Sequence, residues 1–338
     1  MWIRLRENVD VKKLQGQLAG LGLWTHLHGD VAGGQRGLLV TPHSPPAPLR
    51  AIERLEGVAA VLTAATPHPL VDSQAGRSVR TRVGVISEHK PCLMAGPCSV
   101  ESRAQIEEAA AMVAAAGGRF LRGGAFKPRS SPYAFSGHGV EALGWLRAAA
   151  QTHGLGVVTE ALSEAHVAAV AEHADIIQVG SRNMQNFALL EAIGQQTMPV
   201  LLKRGLAATI DEWLLAGEHL LCAGATHVLF CERGLRHHDP RTRNLLDLGA
   251  VALMSTVERQ LVVVDPSHAA GRRDLIPKLS SAALAAGAAG LLIEAHPDAG
   301  RALSDGPQAL DKRGLTTLAR QLGFALTKRA RQHTSTHK

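Results

Sequence analysis

Four residues in this 338-residue chain offer the donor atoms of a metal site: Cys98, His268, Glu294 and Asp305. A thiol, an imidazole and two carboxylates suit Mn2+, Fe2+, Co2+, Cu2+ or Zn2+ rather than Ca2+ or Mg2+. Their spacing is no zinc-finger pattern, so only a fold that gathers distant segments would make them one site. Taken singly, Cys98 reads as a small buried residue and His268 as a hydrogen-bonded ring. A second set is cationic: Arg122, Lys127, Arg129, Arg182, Lys203 and Arg233. Each alone would be an ordinary solvated charge. Six in one cleft would repel one another unless anions neutralised them, and phosphates and carboxylates do so through guanidinium forks. The run Lys127-Pro128-Arg129-Ser130-Ser131 adds two hydroxyls, a natural phosphate grip, and Glu160 is a further carboxylate.

What gathers these residues is a regular alternation of short apolar runs and Ala- and Leu-rich helical stretches. The strands predicted are 92–95, 119–123, 156–160, 175–179, 200–203, 227–231, 261–264 and 290–293. Helices are expected over 102–116, 140–152, 163–173, 186–195, 209–222, 272–286 and about 307–322. Short apolar runs without alternation fit parallel strands buried on both faces. Eight such units predict a (β/α)8 TIM barrel, an α/β fold. An open doubly wound sheet is the rival, but Ala95-Gly-Pro-Cys-Ser is not the nucleotide fingerprint that its first strand would carry. Almost every polar residue named above falls at or just past the C-terminal end of a strand, where such barrels place their active sites. The opposite ends show no comparable pattern.

Ahead of the barrel, residues 1–68 have a different rhythm. Strands at 1–6, 23–28, 37–41 and 58–64, helices at 11–20 and 47–55, and a turn at 29–34 give the βαββαβ order of a ferredoxin-like domain. It holds no chemical constellation, so a regulatory or oligomerising module and a structural appendage stand as equal readings. A linker over 69–90, carrying a strand-like 79–86, is expected to cap the barrel floor. The barrel then spans 91–325, and a basic tail, 326–338, ends the chain.

Composition narrows the classes. The formal charge is +7, but Trp, Tyr and Phe number only 4, 1 and 6 and do not interleave with basic runs, so nucleic acid is not the expected partner. Four cysteines without a C-x-x-C pair predict reduced thiols rather than a disulfide framework. No long uncharged apolar run predicts a membrane span, and the charged start is not a signal peptide, so a cytoplasmic protein is expected.

Four segments carry a resemblance: Ala95-Gly-Pro-Cys-Ser-Val-Glu101, Arg122-Gly-Gly-Ala-Phe-Lys-Pro-Arg-Ser-Ser-Pro-Tyr-Ala-Phe135, Arg182-Asn-Met-Gln-Asn186 and Asp265-Pro-Ser-His268. Together they resemble the 3-deoxy-D-arabino-heptulosonate 7-phosphate (DAHP) synthases of the type I-beta branch, over essentially the whole barrel. The N-terminal unit is similar to the ferredoxin-like regulatory domain of some members. The resemblance implies condensation of phosphoenolpyruvate with erythrose 4-phosphate and water, releasing phosphate, as the first step toward chorismate and the aromatic amino acids. It also implies one divalent metal on Cys98, His268, Glu294 and Asp305. Phosphoenolpyruvate would lie on Arg122, Lys127, Arg182, Lys203 and Arg233, with Pro128, Arg129, Ser130 and Ser131 lining the aldose phosphate. Lys127, Glu160 and His268 become the catalytic candidates. An aromatic amino acid effector, tyrosine or phenylalanine, and a homo-oligomer, tetramer or dimer, belong to the same expectation.

The sibling 3-deoxy-octulosonate 8-phosphate synthases, which use arabinose 5-phosphate, resemble Lys-Ala-Asn-Arg-Ser in the loop after the second strand. Pro128 here favours the four-carbon aldose. Ser181, where Ala is more familiar, is a small departure. A non-catalytic, amino-acid-sensing scaffold is the alternative of another class; a degenerate enzyme should have lost ligands or cations, and none is missing.

Overall fold

A computed structural model describes residues 1–28, 37–40, 44–45, 47–62, 66–127, 133 and 135–324. The expected turn at 29–34, residues Pro128, Arg129, Ser130 and Ser131, and the basic tail lie outside them. The chain forms two compact units, Met1–Pro67 and His68–Lys338.

The first unit runs β1 (Trp2–Leu5), α1 (Val11–Gly20), β2 (Thr25–His28), β3 (Gly37–Val40), α2 (Leu49–Glu53) and β4 (Val58–Leu62). Its sheet order is β2-β3-β1-β4 with antiparallel pairs, the ferredoxin-like arrangement. Leu14 and Leu18 of α1 and Ile52 of α2 pack on Ile3, Leu5, Leu38 and Val58, which share one face of the sheet. Asp10 starts α1 by accepting from the Lys13 N–H, a cap worth about 1 kcal/mol.

The second unit opens with α3 (Pro69–Ser73) and a hairpin of β5 (Val79–Thr81) and β6 (Gly84–Ile86). The expected single strand at 79–86 is thus two, because Arg82-Val83 turn the chain back. The barrel strands are β7 (Cys92–Gly96), β8 (Phe120–Arg122), β9 (Gly156–Glu160), β10 (Ile176–Val179), β11 (Pro199–Lys203), β12 (His227–Glu232), β13 (Val262–Val264) and β14 (Gly290–Glu294). All pair in parallel and close with β14 on β7.

The helices are α4 (Arg103–Ala115), α5 (Val140–Thr152), α6 (Glu164–His173), α7 (Phe187–Gly194), α8 (Ile210–Ala223), α9 (Leu248–Thr256), α10 (Pro266–Ala270), α11 (Ile276–Ala285) and α12 (Lys312–Gln321). Their starts are chemically marked. Ser102 accepts from Gln105 N–H, Thr209 and Glu212 form a capping box, and Asp311 accepts from Gly314 N–H. Gly224 ends α8 at φ 118, a conformation that a side chain would resist. Two of the expected helices start later than expected. The run 272–286 begins as a tight turn at Arg273–Leu275, and α12 starts at Lys312 because Leu310 is still extended, bridging Ala295. No described helix is long and apolar enough to cross a membrane.

Alternation along the barrel strands positions the site. Met94, Phe120, Val158, Ile176, Leu201, Leu229, Val263 and Leu292 fill the interior, where Val79 and Ile86 of the hairpin join them. Their neighbours Leu93, Leu121, Val157, Ile177, Val200, Leu202, Val262 and Leu291 pack outward against the helices. Side chains two residues apart on a strand share a face. The next inward positions toward the C-terminal end are therefore Arg122, Glu160, Gln178, Lys203, Asp265 and Glu294, with Arg233 two beyond the inward Cys231.

Candidate active site

Of these inward polar residues, Arg122, Glu160, Gln178, Lys203 and Arg233 line a cavity of about 310 Å3 together with Lys127, Ser181, Arg182, Arg243, Asn244, His268 and Asp305, and Asp265 and Glu294 lie buried behind them. All the predicted cations within the described residues reach it. Two of them are ion-paired within the barrel. Nη1 of Arg122 lies 3.0 Å from Oε1 of Glu294, and Nζ of Lys203 lies 2.6 Å from Oδ2 of Asp265. Although burial opposes it, Glu294 and other acidic groups keep the Arg122 guanidinium firmly charged. Lys127 donates from Nζ to the carbonyl of Cys98 at 3.0 Å. Burial again works against its charge, but Cys98 and Glu160 more than compensate and hold its value up.

Arg233 stands apart from these three. Its Nη1 is buried and, among the described residues, has no hydrogen-bond partner. Burial, and then the neighbouring guanidinium of Arg243 against the pull of Asp265, lowers its pKa. A buried cationic donor without an acceptor costs stability unless a ligand supplies one, so an anion is the natural occupant. Arg243 was not anticipated from sequence. It donates from Nη1 to Asp305 Oδ1 and Gln308 Oε1, each at 3.0 Å, and Gln308 in turn donates to Oε2 of Glu294.

The four predicted metal donors converge as the closure of β14 on β7 requires: one donor atom from each of Cys98, His268, Glu294 and Asp305 lies within 4.8 Å of the others. Small side-chain adjustments bring such a set to the bonding distances of about 2.0–2.3 Å for thiolate, imidazole and carboxylate on one ion. Sγ of Cys98 lies 3.0 Å from Oδ2 of Asp305. Burial, with Glu294 adding to it, pushes the Cys98 thiol up to about 11. Nδ1 of His268 faces Oδ2 of Asp265 at 2.7 Å, leaving Nε2 toward Glu294 at 3.2 Å. Burial lowers the pKa of His268, favouring the neutral ring with a free Nε2 lone pair. A carboxylate behind a histidine is the usual support of a metal ligand. The sequence signal for Asp265 is its place three residues before His268, on the inward face of its strand. The donor chemistry therefore fits a thiophilic or borderline divalent ion.

Glu160 reaches the cavity with Oε2 3.2 Å from Nε2 of Gln178. Gly180 leaves room for it, since a Cβ there would push Oε1 of Glu160 aside. Other polar residues at the strand ends point elsewhere. Thr159 bonds the Gly123 carbonyl at 2.7 Å, and Arg204 pairs with Glu232 and Asp247 at 3.0 and 2.9 Å. Asn186, part of a quoted motif, caps α7 through Leu189 N–H. Phe126 stacks on His166 at 3.8 Å, steadying the step that presents Lys127.

Residues 74–329 match the DAHP synthetase I family. The chain belongs to this family. A phospho-2-dehydro-3-deoxyheptonate aldolase of Thermotoga maritima is 51% identical over 219 residues, 65% of either chain, so that alignment spans just under two thirds of the relative. A 2-dehydro-3-deoxyphosphooctonate aldolase of Acidithiobacillus ferrooxidans is 31% identical over 241 residues, 66% of this chain and 84% of its own. Among solved structures, a DAHP synthase from Thermotoga maritima superposes with a TM-score of 0.75 at 38% identity, covering 95% of this chain and 96% of that one. A truncated form of the same organism's enzyme gives 0.69 at 42% identity, over 74% and 91%. The matched span contains the whole barrel and every described cavity residue.

Proposed function

We propose that this protein condenses phosphoenolpyruvate with erythrose 4-phosphate and water to give DAHP and phosphate, using a divalent metal ion at Cys98, His268, Glu294 and Asp305. The observation that carries this reading is the juxtaposition of a cation-lined cavity, with one buried guanidinium nitrogen unpartnered, and a four-donor cluster at its edge. The greater identity to the heptonate relative than to the octonate one favours the four-carbon aldose, as does Pro128.

Arg122, Lys127, Arg182, Lys203 and Arg233 would hold the phosphate and carboxylate of phosphoenolpyruvate, orienting C3 toward the aldehyde. The ion, when bound, would supply Lewis-acid polarisation of the aldose carbonyl. A bond forms between C3 and the aldehyde carbon, water adds at C2, and inorganic phosphate departs. Glu160, which lines the cavity, is assigned to take the proton of that water, and Asp265 to fix the orientation of His268. Arg129, Ser130 and Ser131 are assigned to the aldose phosphate, with Pro128 setting the length of sugar accepted. The ferredoxin-like unit is assigned to control by an aromatic amino acid and to homo-oligomer assembly.

The test is phosphate release by purified protein with Mn2+, phosphoenolpyruvate and either erythrose 4-phosphate or arabinose 5-phosphate, with and without chelator. Turnover with the four-carbon sugar that is lost to chelator is expected. Turnover with arabinose 5-phosphate alone would reassign the substrate, and chelator-resistant turnover would remove the metal.

A further inference from the structure

We propose that Glu101 is a positioning residue that spans the barrel seam and holds the loops of Cys98 and Asp305 in register, an inference that rests on the metal reading above. The two ligands are 207 residues apart in sequence, on loops that follow β7 and β14. The strands themselves stop short of them. The last ladder pairing is Glu294 with Gly96, followed by Ala295 N–H to the Gly96 carbonyl at 2.9 Å. Beyond that point backbone pairing cannot fix the separation of the two loops, and side chains must.

Glu101 does so from the first loop. Oε1 accepts from Leu303 N–H at 2.8 Å, and Oε2 lies 3.4 Å from Nε2 of His296. Nδ1 of His296 accepts from Asp298 N–H at 3.0 Å, so Nε2 carries the ring proton and donates to the carboxylate. One residue inward, the hydroxyls of Ser99 and Ser304 meet at 2.6 Å, both buried. Ser99 follows Cys98, and Ser304 precedes Asp305. The backbone of Glu101 is itself fixed: its N–H donates to Gln105 Oε1 at 3.3 Å, and its carbonyl meets Nε2 of His138 at 3.0 Å. Asp305 has φ 52, in the left-handed region that non-glycine residues rarely occupy. A loop in that conformation persists when its surroundings over-determine it, and the contacts to Leu303 and Ser304 come immediately before it.

The experiment compares Mn2+ affinity of the full-length chain by equilibrium dialysis, without substrates, for wild type, Glu101→Ala, Glu101→Gln and Ser304→Ala. Glu218→Ala is the control: Glu218 is also a buried carboxylate accepting two backbone N–H groups, those of Leu70 and Val71, but lines no part of the cavity. Glu101→Ala should weaken Mn2+ binding by about 10–100-fold, the range for lost outer partners of metal ligands. Glu101→Gln, which loses one of the two contacts, should weaken it less, and Glu218→Ala should lower the melting temperature with Mn2+ affinity unchanged. If Glu101→Ala does not fold, Glu101→Gln and Ser304→Ala decide the matter in the same assay. Wild-type affinity in the seam variants, or equal weakening in Glu218→Ala, overturns the positioning role alone. A wild-type chain that takes up no Mn2+ overturns the metal reading and the positioning role together.

Discussion

Oδ2 of Asp265 lies 2.6 Å from Nζ of Lys203 and 2.7 Å from Nδ1 of His268, so one buried oxygen anchors a cavity-lining cation and a candidate metal ligand at once. Removing its charge strands both partners. Asp265→Asn is expected to destabilise the barrel by about 3–5 kcal/mol, the cost of breaking a buried pair, and to weaken metal binding. Thermal denaturation and a metal titration check the two effects separately. Burial works against the charge of Asp265, but His268 and Lys203 hold its carboxyl well below 3.8. A depressed folded value contributes stability above the unfolded value and loses it as pH falls through the folded one. The contribution of Asp265 should thus be intact at any pH above about 4 and absent from the pH dependence of Asp265→Asn.

Metal uptake should be strongly pH-dependent. Cys98 must give up a proton to ligate, and burial pushes its thiol up to about 11. His268, lowered from 6.5, needs no such loss near neutrality. Below the raised thiol value, each pH unit of increase should tighten binding by about tenfold, one proton being released per ion. Competition titrations between pH 6.5 and 8.5 measure the slope, and a flat profile would remove Cys98 from the ligand set.

Thiol accessibility gives a simpler readout. Cys222 is exposed, whereas Cys92, Cys98 and Cys231 are buried. One thiol should react rapidly with an aromatic disulfide reagent and three only on unfolding. Peptide mapping should place the rapid modification on Cys222, with activity retained.

Arg233→Ala should raise KM for phosphoenolpyruvate, because its unpartnered buried nitrogen is assigned to an anionic substrate. Loss of a charged hydrogen bond of about 1.5–3 kcal/mol predicts a fall in kcat/KM of roughly 10–150-fold. Unchanged steady-state kinetics would place the anion elsewhere.

Gly180→Ala tests the carboxylate of Glu160 without touching its charge. The added methyl would displace Oε1. Turnover should fall while the circular dichroism spectrum stays that of the wild type; full activity would show that the position of Glu160 does not matter.

Much of this organisation was legible because barrel strands are short apolar runs whose final polar residues all sit at one end. The period-two alternation goes further than the strand-end rule. Stepping from Leu201 to Lys203, or from Val263 to Asp265, separates inward residues from outward ones such as Arg204 and Glu232. Asp265 was therefore within reach of sequence, whereas Arg243 and Gln308 were not: both sit beyond strand ends, where no alternation applies. Helix α9 was missed because Leu248-Gly-Ala-Val-Ala-Leu-Met is apolar without a polar stripe to mark its period. The start of α12 was placed too early because Gly306-Pro-Gln reads as a helix opening, although Asp311 supplies the actual cap.

The seam that joins Cys98 to Asp305 also sets a timetable for synthesis. The thiol leaves the ribosome 207 residues before its carboxylate neighbour, which at roughly 5–20 residues per second is an interval of about 10–40 s. Throughout it no four-donor cluster exists, so capture of an ion by these four residues would belong to the last moments of folding, after a window in which Cys98, buried in the closed barrel, is open to oxidants.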